Sequence, residues 1–115
     1  MGGTEVLFTN TIIAENSAWT APDCFGVVNS LGHNLVGDGI ACDFNTASGD
    51  QVGFQFPVDP KLGPLQDNGG PTKTHALLEG SPAIGAGDQE SAPETDQRGV
   101  ARPQGEGSDI GAYER

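Results

Sequence analysis

Apolar residues come in short bursts separated by polar and turn-forming residues. Residues 6–14, Val-Leu-Phe-Thr-Asn-Thr-Ile-Ile-Ala, are rich in β-branched side chains and predict one strand, or two joined by a bend. Residues 15–23 are polar, and Pro22-Asp23 marks a break. Residues 26–31 and 33–37 predict the next two strands, and residues 37–53 read as loop. Residues 53–58 alternate apolar and polar, which predicts a half-buried strand ending at Pro57. Pro60 and Pro64 exclude residues 59–65 from any central strand. Asn68-Gly69-Gly70-Pro71 is a turn, residues 74–78 a short strand, and residues 109–113 a last one. No apolar period near 3.6 persists beyond two turns, so almost no helix is expected.

Two segments repeat. Asn10-Thr11-Ile12-Ile13-Ala14 and Asn34-Leu35-Val36-Gly37-Asp38 each set an Asn before aliphatic residues, 24 residues apart. A step of that size suits one coil of a parallel β-helix, where each turn supplies two or three short strands. Stacking of this kind predicts Asn10 over Asn34, their amides hydrogen-bonded along the axis.

Composition narrows the function. The 115 residues are one domain's worth, and 18 Gly with 8 Pro suit short strands and tight turns. Sixteen acidic residues against five basic ones give a formal charge of −11, which repels a phosphate backbone or an anionic membrane. Nucleic-acid binding is therefore not expected. No apolar run approaches the roughly 18 residues of a membrane span, so membrane insertion is not expected either. Met1-Gly2-Gly3 leads straight into predicted strand without a signal peptide. The expectation is a piece of a larger protein whose export signal lies elsewhere.

Cys24 and Cys42 are the only cysteines. In an exported protein they predict a disulfide between neighbouring coils, contributing about 3 kcal/mol by the chain-entropy model. Buried free thiols, or a metal pair with His33, are the alternatives. Asp38, Asp43, Asn45 and Asp50 make an oxygen-rich loop in which Asp43-Phe44-Asn45 is compatible with Ca²⁺. Ala47 stands where the next ligand should fall, so a solvated acidic loop is the favoured reading and Ca²⁺ the alternative. Hydrolysis by two carboxyls needs them roughly 5–9.5 Å apart. Asp88, Asp96 and Asp109 are the candidates, but Arg98 and Arg102 beside them equally predict structural ion pairs. His75 reads as a strand histidine rather than a base, and no G-x-S-x-G elbow is present. Trp19, with Phe25 nearby, is the candidate for stacking on a sugar ring, against a local cap on the core.

The C-terminal third carries the most specific strings: Leu65-Gln66-Asp67-Asn68-Gly69-Gly70-Pro71-Thr72, Gly80-Ser81-Pro82-Ala83-Ile84, Thr95-Asp96-Gln97-Arg98-Gly99 and Asp109-Ile110-Gly111-Ala112-Tyr113-Glu114. Together they resemble the C-terminal region of bacterial surface proteins built as right-handed parallel β-helices, of the choice-of-anchor or outer-membrane-repeat type. The resemblance covers residues 6 to 115. It implies an all-β chain: a right-handed parallel β-helix of few coils over about 1–58, and a Pro/Gly-rich capping segment over about 59–115, in one domain. It also implies an extracellular or cell-surface location, and it brings no catalytic residues with it. In that arrangement Ile84, Ile110 and Tyr113 plug the open end of the solenoid, and Arg98 pairs with Asp109 to lock it. The exposed edge of the first coil predicts a homodimer. The function implied is a non-catalytic structural or adhesive part of a surface protein. A Ca²⁺-dependent polysaccharide-active fragment (lyase or hydrolase-like) and a carbohydrate-binding module are the alternatives, with surface carbohydrate as the partner.

Overall fold

A computed structural model describes residues 6–115, and among them every regular element is a β-strand. The elements are β1 (Leu7–Phe8), β2 (Ile12–Ile13), β3 (Gly26–Ser30), β4 (Leu35–Val36), β5 (Cys42–Asn45), β6 (Gln51–Val52), β7 (Leu62–Gln66) and β8 (Thr74–Leu77). The first six form two parallel sheets, ordered β1-β3-β5 and β2-β4-β6, while β7 and β8 pair antiparallel. Consecutive strands thus alternate between the two parallel sheets, each sheet growing by one strand at every return. Of the two readings of residues 6–14, one strand or two with a bend, the structure has the second, as β1 and β2.

Strand registers give the step between returns. Leu7 lies beside Asn29 and Ile12 beside Leu35, whereas Gly26 lies beside Cys42 and Leu35 beside Gln51. The first step is longer because polar residues 15–23 loop out. Asp23 fastens that loop, its carboxylate accepting from Asn16 N–H at 3.1 Å and Asp38 N–H at 2.7 Å.

The predicted stack of Asn10 on Asn34 is displaced by one row. The turn from β3 to β4 is one residue longer than that from β1 to β2, so Asn34 falls in the row of Thr11. Asn10, His33 and Gly49 occupy the preceding row, with φ of 53°, 58° and 82°. That corner needs a left-handed residue at every level, which Asn and His tolerate better than most and Gly adopts freely. At Gly49 a Cβ would also sit 2.5 Å from the His33 ring. Asn34 is fully buried. Its Oδ1 accepts Thr11 N–H at 3.0 Å, and its Nδ2 donates to the Phe8 carbonyl at 3.0 Å and Ser30 Oγ at 2.9 Å. Below it, Asp50 Oδ1 accepts Asn34 N–H at 3.0 Å. An Asn-to-Asn rung does exist elsewhere, from Asn45 Nδ2 to Asn29 Oδ1 at 2.7 Å between β5 and β3.

Successive residues of β4 face opposite ways, and both are completely buried. Val36 points between the two parallel sheets, into a core with Val28, Cys42 and Phe44. The disulfide between Cys24 and Cys42, Cα atoms 5.7 Å apart, borders this core. Leu35 points the other way, onto Leu77, Ala83 and Ile110, with Ile12, Leu62 and Tyr113 packed around them. The central strand β4 is therefore buried on both faces, with β2 and β6 half-buried at its sides.

Residues 59–115 supply that second cover and act as a clasp laid along the side of the sheet. Gly111 N–H donates to the Asn10 carbonyl at 3.0 Å beside β2, and Gln51 Nε2 of β6 donates to the Pro82 carbonyl at 2.9 Å. Its contacts thus reach all three strands. The expectation of a plug over the open end is corrected: Ile110 is fully buried against Leu35, but Ile84 is exposed. Four strand expectations also change. Residues 53–58 and 109–113 are irregular, β5 lies inside the supposed 37–53 loop, and Leu62–Gln66 is a strand. Pro64 is tolerated there because β7 has a single neighbour.

Replacing Asn34 by Leu keeps the branching and heavy-atom count of the side chain and strips four groups, Thr11 N–H, the Phe8 carbonyl, Ser30 Oγ and Asp50 Oδ1, of a hydrogen-bond partner. Urea unfolding should show a loss of at least ~2 kcal/mol, given about 1–3 kcal/mol for each buried group left unsatisfied. A loss below about 0.5 kcal/mol, ordinary for an indifferent surface substitution, would show that this row carries no stability.

Candidate functional site

From Leu78 onward no strand forms among the described residues, only an isolated bridge between Thr95 and Ala101. Backbone groups outside ladders need other partners, and side chains provide them. Asp96 Oδ1 accepts the backbone N–H of Arg98 at 2.8 Å and of Val100 at 3.0 Å. Its Oδ2 accepts Glu114 N–H at 2.8 Å and pairs with the Arg98 guanidinium at 2.8 Å. Arg98 lies 3.7 Å from the centre of the Tyr113 ring and donates to the Glu114 carbonyl at 2.6 Å. Arg102 pairs with Glu114 Oε1 at 2.8 Å and donates to the carbonyls of Asp109, at 3.0 Å, and Gly111, at 2.7 Å.

The predicted Arg98–Asp109 pair is corrected: the partners are Arg98 with Asp96 and Arg102 with Glu114. Asp109 instead accepts two backbone N–H groups, from Gly85 and Arg115, both at 2.7 Å. Local geometry decides the exchange. Asp96 and Arg98 are two residues apart on one turn, and that turn aims both side chains at the chain end. The sequence offers Arg102 as an ion-pair former beside the aspartates, but its partner Glu114 is the residue that reading misses. The available signal was a Glu closing an otherwise apolar Asp-Ile-Gly-Ala-Tyr string, with two arginines upstream.

Burial pushes the Asp96 carboxyl up, but the Glu114 N–H, the Arg98 guanidinium and the N–H groups of Val100 and Arg98 outweigh it. The carboxyl is held below its usual range, the opposite of what a general acid requires.

The other candidates do not converge. Asp38 caps its own turn by accepting Ile40 N–H at 3.2 Å, and Asp50 is committed to Asn34 and to Ala47 N–H. Asp43 and Asn45 point outward from β5, with Asn45 engaged by Asn29. Among the described residues no group of three or more His, Cys, Asp or Glu side chains could hold a metal ion. Asp88 accepts its own loop's Ser91 hydroxyl at 2.8 Å, and its N–H donates to Asn10 Oδ1 at 2.6 Å. His33 Nδ1 meets the Ala86 carbonyl at 3.0 Å and His75 Nδ1 the Gly63 carbonyl at 2.8 Å. Trp19 is fully exposed on the 15–23 loop and caps no core, and Phe25 is 84% exposed.

A cleft of about 1020 Å³ opens between β2 and the clasp. One wall is the edge of β2 with residues 9–11 before it, and the other carries Leu65, His75 and Tyr113. No helix is long and apolar enough to cross a membrane among the described residues. No family model, curated protein or solved structure matches this chain.

Asp96 yields a pH prediction. Its folded pKa lies below its unfolded one, so its charge stabilises the protein at every pH above about 3.9, and that contribution is lost as pH falls through the folded value. In Asp96→Asn, unfolding measured near neutral pH should show a loss of about 3–5 kcal/mol, since Arg98 is left unpaired. The variant's stability should then fall less steeply than the wild type's below that pH. Parallel acid limbs for the two proteins would contradict this.

Proposed function

We propose that this chain is a non-catalytic structural part of an extracellular or cell-surface protein. In this reading residues 6–58 are coils of a right-handed parallel β-helix, and residues 59–115 are a clasp that finishes it from the side. The observation that carries the proposal is the fate of the charged groups in the C-terminal motifs. Asp96, Arg98, Arg102, Asp109 and Glu114 bind one another or the protein's own backbone. A catalytic pair instead needs a carboxyl facing a cleft with its protonation raised or shared.

Parallel pairing of alternate strands supports the β-helix, because a chain that returns in the same direction to two sheets in turn winds about an axis. The Cys24–Cys42 disulfide supports an oxidising compartment. The charge of −11 suits a soluble surface and no polyanionic ligand. A second reading, carbohydrate binding, draws on the full exposure of Trp19 on its loop.

Thermal unfolding of the non-reduced protein in excess Ca²⁺ and in EDTA tests the proposal. A structural clasp without a cation site should unfold at the same midpoint in both. A rise of several degrees in Ca²⁺ would contradict it and favour the Ca²⁺-dependent polysaccharide-active reading.

A further inference from the structure

We propose that the loop over residues 15–23 is a preorganised site for a neutral oligosaccharide, with Trp19 as the surface on which one sugar ring stacks; this rests on the carbohydrate-binding reading and deepens it. The loop is extra chain. From Ile12 to Asn29 the chain takes 17 residues, and from Leu35 to Asn45, the same passage one return later, it takes 10. The surplus of seven falls between β2 and β3, where the chain leaves the coil and carries the molecule's only Trp into solvent.

The base of this loop is clamped. Asp23 Oδ1 accepts the backbone N–H of Asn16 at 3.1 Å and its side-chain amide at 2.9 Å, which closes the loop on itself. Oδ2 of the same carboxylate accepts Asp38 N–H at 2.7 Å and ties the loop to the coil. Gly37 leaves room for that contact, since a Cβ there would sit 2.8 Å from Asp23 Oδ2. The next residue, Cys24, is fixed to Cys42 by the disulfide. At the apex, by contrast, Trp19 is fully exposed. Ordering a loop before its ligand arrives cuts the entropy that binding must otherwise supply.

The chemistry around the ring selects the ligand. The other loop residues are small, polar or proline, so Trp19 has no apolar rim of the kind that seals a protein–protein hot spot from water. A sugar ring needs less: one aromatic face for its C–H bonds and polar groups for its hydroxyls. Those groups lie at the loop base, where a cavity of about 320 Å³ is lined by Glu15, Asn16, Asp38 and Asp59 among others. Trp19 is four residues from Glu15 and four from Asp23, so its Cα lies within about 14 Å of either end, a span that a short oligosaccharide bridges. Carboxylates accept hydroxyl hydrogens but repel carboxylate and sulfate groups, and the whole chain carries −11. The sugar is therefore neutral.

Because Trp19 is the only Trp, its fluorescence reads the site directly. Cellohexaose, mannohexaose and the N-acetylglucosamine hexamer are the neutral probes, and hexagalacturonate is the charged one. At least one neutral probe should give a saturable change, and hexagalacturonate none. By calorimetry, Trp19→Ala should weaken that binding at least about tenfold. Asp23→Ala, with the sheets intact by circular dichroism, should weaken it severalfold through a less favourable binding entropy, because only the ordering of the loop is lost. Absence of saturable binding by every neutral probe at millimolar concentration would overturn this inference and the carbohydrate-binding reading together. Binding that survives either substitution undiminished, or that hexagalacturonate matches, would overturn the inference and leave that reading standing. So would a dimer that Trp19→Ala dissociates and no sugar does, since a second copy would then cover the ring.

Discussion

Two arginines hold the C-terminal half of this molecule in place. Beyond β8 the chain has no ladder to satisfy its backbone, so the guanidinium groups of Arg98 and Arg102 and the carboxylates of Asp96, Asp109 and Glu114 take that role. Charge-assisted bonds to backbone groups are roughly twice as strong as neutral ones. Their burial makes them costly to disturb, because removing one partner leaves a charge in a poorly solvated site. The network is not saturated: Arg102 Nε and Glu114 Oε2 are buried without hydrogen-bond partners among the described residues. Such a network specifies one arrangement of the chain end more than it adds stability.

The parallel sheets depend on that arrangement. Strands of two residues, such as β2, β4 and β6, have few ladder bonds of their own. Their sheet persists because Val36 closes one core and Leu35 another, and the second core exists only while Ala83 and Ile110 lie against it. Asn34 joins the two requirements, bonding the first return to the second at the corner where the clasp also attaches through His33 and Asn10.

Much of the all-β character was legible in the sequence, since short β-branched bursts broken by Gly and Pro leave little alternative. The disulfide was legible from a single even pair, given an exported protein. Row assignments were not. Asn10 and Asn34 look equivalent in sequence, yet one extra residue in a turn puts Asn10 with His33, because a stack is indexed by turn length as much as by residue type. β5 escaped notice because Cys42-Asp43-Phe44-Asn45 alternates over only four residues, with polar positions that read as a loop. The charged motifs could be located from sequence but their partners could not, since pairing followed the turn at residues 96–100 rather than proximity to Asp109.

Asp96, Arg98, Arg102, Asp109 and Glu114 turn inward to fix the clasp, and main-chain groups of β2 that are unpaired among the described residues line the cleft beside it. The cleft and the sheet both depend on the clasp being fixed by its ion pairs. Amide hydrogen exchange of Arg102→Ala against the wild type measures this directly. The account predicts that exchange rises at least about tenfold at Leu35, Gly37 and Gly53, whose N–H groups bond across the sheet to Thr11, Ile13 and Val36, because loss of the clasp uncovers it. Faster exchange confined to residues 96–115, with the sheet amides unchanged, would contradict it.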